Sequence, residues 1–151
     1  MKKFNLLKNK KTNLKKYLSN DVKITPLGTL TQTPNLSDLD KETFKVVSKT
    51  KPTVEMIEDA VFAWKVAKHS RSQAIVVAKD LKTTAISQGL QTASVEFALD
   101  YSCDSSKDAV LASDMPITVH DLNVAAQGRI ASVILPLASK ELIDAADKFG
   151  I

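Results

Sequence analysis

The side chains able to support metal or nucleophilic chemistry are few in this sequence. It has one cysteine, Cys103, and two histidines, His69 and His120, which lie far apart. A deaminase-type zinc site needs a histidine or cysteine near a glutamate and then two spaced cysteines, so these residues do not supply one. Cys103 follows a predicted helix in a polar stretch, and we expect its thiol to be inert. We therefore expect neither a metal site nor a catalytic residue.

The glycines give no phosphate-binding loop. P-loops and dinucleotide-binding turns need clustered glycines between a strand and a helix. Here the four glycines stand singly, at Gly28, Gly89, Gly128 and Gly150. Nucleotide recognition of those two kinds is therefore not expected.

Polar residues at the ends of predicted strands are better candidates for binding a ligand. Asp114 follows an apolar run, and His120 and Asp121 begin the helix after it. Loops at the carboxyl ends of parallel strands are where α/β folds place ligand-binding groups. Gln73 precedes another apolar run and should lie at the opposite, amino end of its strand.

These candidates have structural alternatives that the sequence leaves open. Thr118 and Asp121 have capping-box spacing, so Asp121 could serve only to begin a helix. His69 lies beside Lys68 at a predicted helix end, where a cation stabilises the helix dipole.

The elements that must position these residues alternate between helix and strand. The predicted helices cover residues 53–69, a segment from about Thr92, 118–128 and 140–149, and the predicted strands cover 74–78, 83–87, 110–114 and 130–135. The first two strands are joined too closely for a crossover, so they should be antiparallel, and the later ones parallel. This order predicts a three-layer α/β/α sandwich with a mixed sheet. Residues 21–50 predict extended segments and turns, with weak strands at 22–27 and 44–48.

Charge separates an N-terminal arm from the rest of the chain. Residues 1–20 contain seven lysines and no acidic residue, whereas the other 131 residues carry 14 basic and 17 acidic side chains. We expect a basic arm at 1–20 and a single α/β domain at 21–151. The arm predicts either a solvated tail or, as a weaker hypothesis, nucleic-acid association. A lone cysteine and no long apolar run favour a cytoplasmic protein without membrane contact.

Several blocks resemble one family of purine-biosynthesis enzymes. Residues 62–80, FAWKVAKHSRSQAIVVAKD, are similar to a helix-then-strand stretch in the C-terminal part of the bifunctional AICAR formyltransferase and IMP cyclohydrolase family. Residues 44–53 resemble the lead-in to that stretch, and residues 11–14 resemble the start of the region. The blocks 109–114 and 145–151 also match. The resemblance covers essentially the whole chain, but only about the last third of the family's protein.

The resemblance implies a cytidine-deaminase-like fold, a homodimer and sites shared across its interface. The family transfers a formyl group from 10-formyltetrahydrofolate to AICAR ribonucleotide. Its catalytic lysine–histidine pair lies in an earlier unit, and Lys68–His69 resembles that pair but occupies a different helix. No catalytic role is therefore carried onto Lys68 or His69.

Departures from the family's motifs fall on its substrate contacts. Gln73 replaces a substrate-contacting asparagine. In the glycine-rich stretch, which here contains Gln91 and Thr92, two glycines and an arginine are lost. Residues 115–121 replace two phenylalanines and an Arg-Asp pair. Loss of arginine removes a bidentate anion contact, so anionic substrates should bind weakly.

These observations favour a catalytically incomplete domain that dimerises or binds a nucleotide or other small molecule. Its expected substrate-binding residues are Gln73, Gln91, Thr92, Asp114, His120 and Asp121. The alternative is a subunit of a split AICAR formyltransferase that works with a second enzyme subunit. A cofactor, 10-formyltetrahydrofolate, is expected only under that alternative.

Overall fold

A computed structural model describes residues 20–34, 44–89 and 94–151 of the chain. The chain divides into two compact units, Met1–Asp38 and Leu39–Ile151. Residues 1–19, which form most of the predicted basic arm, lie outside the described residues. None of the described helices is long and apolar enough to cross a membrane.

The described part of the first unit is a β-hairpin. Strand β1 (Asp21–Thr25) pairs antiparallel with β2 (Gly28–Gln32). The predicted strand at 22–27 stops earlier, since Pro26 has no N–H to donate to a strand ladder. Gly28 has a φ of +139°, a conformation that favours glycine. The prediction of extended segments and turns is confirmed here.

The second unit is built on a four-stranded mixed sheet. Its strands are β3 (Ala74–Lys79), β4 (Lys82–Gln88), β5 (Val110–Ser113) and β6 (Ser132–Ile134), and their order across the sheet is β4-β3-β5-β6. Strand β3 runs antiparallel to both of its neighbours, whereas β5 and β6 are parallel. The predicted antiparallel pair and the predicted mixed sheet are both confirmed.

Four helices accompany the sheet, and their ends follow the capping residues in the sequence. They are α1 (Val54–His69), α2 (Ser94–Ser102), α3 (Val119–Gln127) and α4 (Lys140–Phe149). The side chains of Thr53, Thr118 and Ser139 accept backbone N–H groups at the starts of α1, α3 and α4. Gly150 ends α4 in the left-handed region, with φ +76°.

The helices cover both faces of the sheet. Val76 points toward α1 and packs with Ala63 and Ala67. The alternate residue Val77 faces α2 and α3 and packs with Val95 and other side chains of that layer. Because successive strand residues point to opposite faces, the continuous apolar run of β3 predicts a strand covered on both sides. The three-layer α/β/α arrangement is therefore confirmed, while its likeness to cytidine deaminase stays a prediction.

The helix α3 ends where it passes close to α2. A Cβ atom on Gly128 would lie 2.8 Å from two methyl carbons of Leu99, so a larger residue here would require the Leu99 side chain to move. Gly128 itself has an ordinary φ of −72°, and the left-handed conformation falls on Arg129 at +59°. Gly128 therefore serves the close packing of α3 on α2 rather than an unusual backbone conformation.

Two predicted strands differ from the structure. The predicted strand at 130–135 is shortened to three residues in β6, and Ile130 instead donates its N–H to the carbonyl oxygen of Ala125 in α3, at 3.0 Å. The predicted strand at 44–48 is absent, since residues 44–47 have no regular structure and 48–50 form bends. The neighbouring Lys49 N–H donates instead to Asp147 of α4, at 2.7 Å. An apolar pattern alone does not make a strand when the backbone bonds to a side chain instead.

Candidate functional site

The candidate site lies at one end of the four-stranded sheet, where β5 finishes and β3 begins. In the antiparallel register Ile75 pairs with Ser113, so the residues just outside this pair are neighbours. Asp114 donates its backbone N–H to the carbonyl oxygen of Ala74 at 3.3 Å. Gln73, expected at the amino end of its strand, therefore lies at the same end of the sheet as Asp114, because β3 and β5 are antiparallel. We call this the Asp114 end of the sheet.

The carboxylate of Asp114 holds the backbone on both sides of Gln73. Its Oδ1 accepts the N–H of Ala74 at 2.8 Å. Its Oδ2 accepts the hydroxyl of Ser72 at 2.5 Å, a short contact for a hydroxyl and a carboxylate. Each oxygen therefore already has one donor from the segment that enters β3. Asp114 positions Gln73 in this structure rather than presenting both oxygens to a ligand.

The backbone at the C-terminal end of β5 is also held by hydrogen bonds, which fixes the position of the Asp114 backbone. Ser113 is almost fully buried, and its hydroxyl donates to the carbonyl oxygen of Met115 at 2.7 Å. The same hydroxyl accepts the N–H of Met115 at 3.2 Å. This local turn keeps the chain close to the strand end, so the Asp114 side chain reaches back to β3.

Strand β4 holds the entering segment from its other side. The N–H of Gly89 donates to the carbonyl oxygen of Gln73 at 3.0 Å. The side-chain oxygen of Gln88 accepts the N–H of Arg71 at 2.7 Å. Gly89 has a φ of +82°, so glycine allows the chain to turn here without strain.

Two side chains of this segment stay free of partners within the part of the chain that the structure describes. They are the half-buried amide of Gln73 and the exposed guanidinium of Arg71. The amide has both donors and an acceptor, and the guanidinium has five donors. The segment 70–73 can therefore offer a ligand one neutral polar group and one cation.

Sequence reasoning missed Arg71 because it looked for cations in the family's arginine-bearing motif. The signal that could have found it was its place two residues before Gln73, in the same strand-entry loop. The arginine lost from the family's motif belongs to the stretch 85–93, and Arg71 is a separate cation on the loop before β3.

The other predicted site residues are not drawn into this cluster by any contact among the described residues. The Asp121 carboxylate accepts the N–H of Thr118 at 2.8 Å and its hydroxyl at 2.7 Å, which completes a capping box. The exposed His120 has its Nε2 3.7 Å from Glu96. An exposed pair of this kind contributes little to stability. Gln91 and Thr92 lie outside the described residues.

The other end of β5 has a separate shallow cavity of about 270 Å³. Its lining includes Cys103, Lys107 and Arg129. The thiol of Cys103 bonds locally to the carbonyl oxygen of Asp100, at 3.1 Å. Within the described ranges, no three histidine, cysteine, aspartate or glutamate side chains are grouped so as to hold a metal ion.

The fold and site define an α/β/α sandwich in which polar groups gather on a loop entering the sheet. A family model described as "AICARFT/IMPCHase bienzyme" matches residues 1–100. This chain belongs to that family, as the resemblance of residues 62–80 predicts.

The individual relatives agree with this assignment. The bifunctional purine biosynthesis protein purH of Dictyostelium discoideum is 39% identical over 142 residues, covering 87% of this chain and 26% of the relative. PurH of Acetivibrio thermocellus is 37% identical over 137 residues, covering 87% and 27%. PurH of Caldicellulosiruptor saccharolyticus is 40% identical over 137 residues, covering 87% and 26%. The chain thus spans about a quarter of the length of these relatives.

Proposed function

We propose that this domain binds a purine-biosynthesis ribonucleotide at the Asp114 end of the sheet and does not complete formyl transfer by itself. The observation that carries the proposal is the fixed position of Gln73. Bonds from Asp114 hold the residues before and after it, and Gly89 holds its carbonyl group. Because the backbone that carries the Gln73 side chain is already fixed, binding has to order only the side chain, which favours affinity.

The chemistry of Gln73 suits the heterocycle of AICAR ribonucleotide. A primary amide can donate to one oxygen or nitrogen and accept from another amide, as a carboxamide ligand requires. Relative to the family's asparagine, Gln73 is longer by one methylene, which displaces its amide by about 1.5 Å. If recognition is retained, the ligand atom that contacts Gln73 lies farther from the backbone by about this distance.

The residues that resemble a catalytic pair have a structural role in this chain. Lys68 and His69 lie in the last turn of α1, where positive charge complements the negative end of the helix dipole. The family's pair belongs to an earlier unit, as the resemblance implies. We therefore propose that the proton transfers of formyl transfer need groups from another polypeptide segment.

A split formyltransferase is the second candidate. Its support is the family assignment together with the resemblance, which places the family's catalytic lysine–histidine pair in a unit other than this domain. Under this proposal, the domain works in the cytoplasm as a homodimer or with a second subunit, and uses 10-formyltetrahydrofolate.

Isothermal titration of the purified chain with AICAR ribonucleotide tests the binding proposal. We expect saturable binding that Gln73→Ala weakens about tenfold, as the loss of a well-placed hydrogen bond implies. Gln127→Ala, at the other end of α3 from the predicted ligand residues, is the matched control and should bind as the wild type does. Absence of binding by the wild-type chain overturns the proposal.

A formyl-transfer assay separates the two candidates. The chain alone, given AICAR ribonucleotide and 10-formyltetrahydrofolate, should show no turnover. Turnover that appears only after adding a polypeptide with the earlier lysine–histidine unit supports the split enzyme. Turnover by the chain alone contradicts the proposal of an incomplete domain.

A further inference from the structure

The loop that carries Gln73 follows the C-terminal end of α1, where two carbonyl oxygens of the last turn already accept hydrogen bonds. Ser70 donates its N–H to the carbonyl oxygen of Ala67 at 3.0 Å and its hydroxyl to that of Val66 at 2.9 Å. Free carbonyl groups at a helix end repel anions, because they form the negative pole of the dipole. Here Ser70 satisfies two of them, which lessens that repulsion next to the loop.

The backbone of Arg71 is fixed while its side chain is not. Its N–H is bonded to Gln88, and its guanidinium is exposed to solvent without a partner in the described ranges. In a fully extended chain, the Cα atoms of residues two positions apart are at most about 7 Å from each other. Arg71 and Gln73 can therefore contact the same small ligand. A fixed backbone with a free cation is the arrangement expected of a recognition side chain.

The local charge favours an anion. Arg71 is the cation of the loop 70–73, and Asp114 is the carboxylate in contact with that loop. Both oxygens of Asp114 accept a donor, which partly offsets its negative charge. The Arg71 guanidinium therefore has no ion pair with Asp114 among the described contacts.

We propose that Arg71 binds the phosphate monoester of the ligand whose heterocycle contacts Gln73. A guanidinium can donate two parallel hydrogen bonds to phosphate, which a lysine ammonium cannot reproduce. Arg71 then supplies positive charge that the stretch 85–93 has lost relative to its family. This inference rests on the proposed ribonucleotide binding and names the group that gives the site its specificity.

The test compares AICAR ribonucleotide with the riboside, which lacks the phosphate. The wild-type chain should bind the ribonucleotide more tightly than the riboside. Arg71→Ala should weaken ribonucleotide binding about tenfold or more and change riboside binding by less than about twofold. Arg71→Lys should fall between them. Arg129→Ala, which removes an exposed arginine at the other end of the sheet, is the matched control.

Equal ribonucleotide affinity in Arg71→Ala and wild type overturns the inference but leaves the proposed function intact. The same holds if Arg71→Ala weakens binding of a folate carboxylate and not of the ribonucleotide. If the wild type does not bind the ribonucleotide, the proposed function fails, and inorganic phosphate becomes the probe. A saturable NMR shift of the Arg71 Nε–H with phosphate, larger than that of Arg129, then supports the inference, and equal or absent shifts overturn it.

Discussion

At each end of strand β3, an aspartate carboxylate accepts two hydrogen bonds from the adjoining loop, but the two loops differ in the side chains that they present. At its start, Asp114 accepts two donors from the entering loop. At its finish, the buried Asp59 of α1 accepts the N–H groups of Asp80 at 3.0 Å and Leu81 at 2.7 Å. We call this second region the Asp59 end of the sheet.

The difference lies in what each carboxylate holds. Asp59 bonds only to backbone N–H groups of a two-residue turn, and both turn residues have positive φ, +53° and +56°. Such a turn connects two strands tightly. The charged side chains beside it, Asp80 and Lys82, are both exposed and have opposite charges, so they offset each other. Asp114 instead holds the backbone around Gln73 and leaves a neutral amide, Gln73, and a cation, Arg71, on the same loop. The comparison teaches that a fixed backbone alone does not make a candidate site, because the charge and hydrogen-bonding groups beside it must also suit a ligand.

The largest expected effect is the loss of the Asp59 carboxylate. Asp59→Ala should lower the free energy of unfolding by about 3 kcal/mol, because two backbone donors lose a charged acceptor. Urea denaturation measures this change, and ribonucleotide affinity of the folded variant should match the wild type. Asp100→Ala, on the exposed side of α2, should change stability by less than about 0.5 kcal/mol. A comparable loss in that control would contradict the role given to Asp59.

Asp114→Ala should have a smaller effect on stability and a large one on binding. We expect a loss of about 2 kcal/mol in unfolding free energy, since one of its two donors is a hydroxyl that can turn to solvent. Ribonucleotide affinity should fall about tenfold because Gln73 is no longer held. Calorimetric titration beside Asp59→Ala measures the contrast. Equal effects of the two variants on affinity would remove the distinction between the two ends.

Introducing a glycine at one turn and removing a glycine at another should change the free energy of unfolding in opposite directions. Leu81→Gly should raise the unfolding free energy by about 1 kcal/mol, because leucine is strained at a φ of +56°. Gly89→Ala should lower it by about 1 kcal/mol, since the residue has a φ of +82° and no atom close enough to block a methyl group. Thermal unfolding of both variants measures the pair. Two changes of the same sign would contradict this account of strain.

The smallest expected effect concerns the half-buried carboxylate of Asp147, which accepts a backbone N–H outside the sheet. The hydrogen bond from the Lys49 N–H, aided by the Lys49 ammonium 3.2 Å away, lowers the pKa of Asp147. A pKa depressed on folding stabilises the protein above the unfolded value and ceases to do so as pH falls through the folded value. The melting-temperature difference between wild type and Asp147→Asn should thus be present at neutral pH and shrink in acid.

Local rules predicted most elements of the fold because their signals are local. The apolar run at 74–78 and the capping pair Thr118–Asp121 each depend on neighbours within one strand or one helical turn. The segment 44–48 looked similar to a strand but lacks a partner strand. A strand exists only when another segment completes its backbone hydrogen bonds, and no pattern within five residues contains that information.

The candidate site was less accessible to sequence reasoning. The sequence left Asp121 as either a ligand-binding residue or a helix-capping residue. In the structure its carboxylate forms the capping box with Thr118. The sequence predicts Gln73 at the amino end of one strand and Asp114 at the carboxyl end of another, but it does not show that the Asp114 carboxylate bonds to the residues on both sides of Gln73. Arg71 was overlooked because its importance depends on the loop that carries it.

By itself, the sequence determined the helices, the buried strands and the family, since apolar periodicity, capping residues and the block at 62–80 are properties of contiguous residues. Only the tertiary structure decided that β3 runs antiparallel to β5, which brings Gln73 beside Asp114. The physical reason is that strand direction is selected by backbone hydrogen bonds and side-chain packing between segments far apart in the chain.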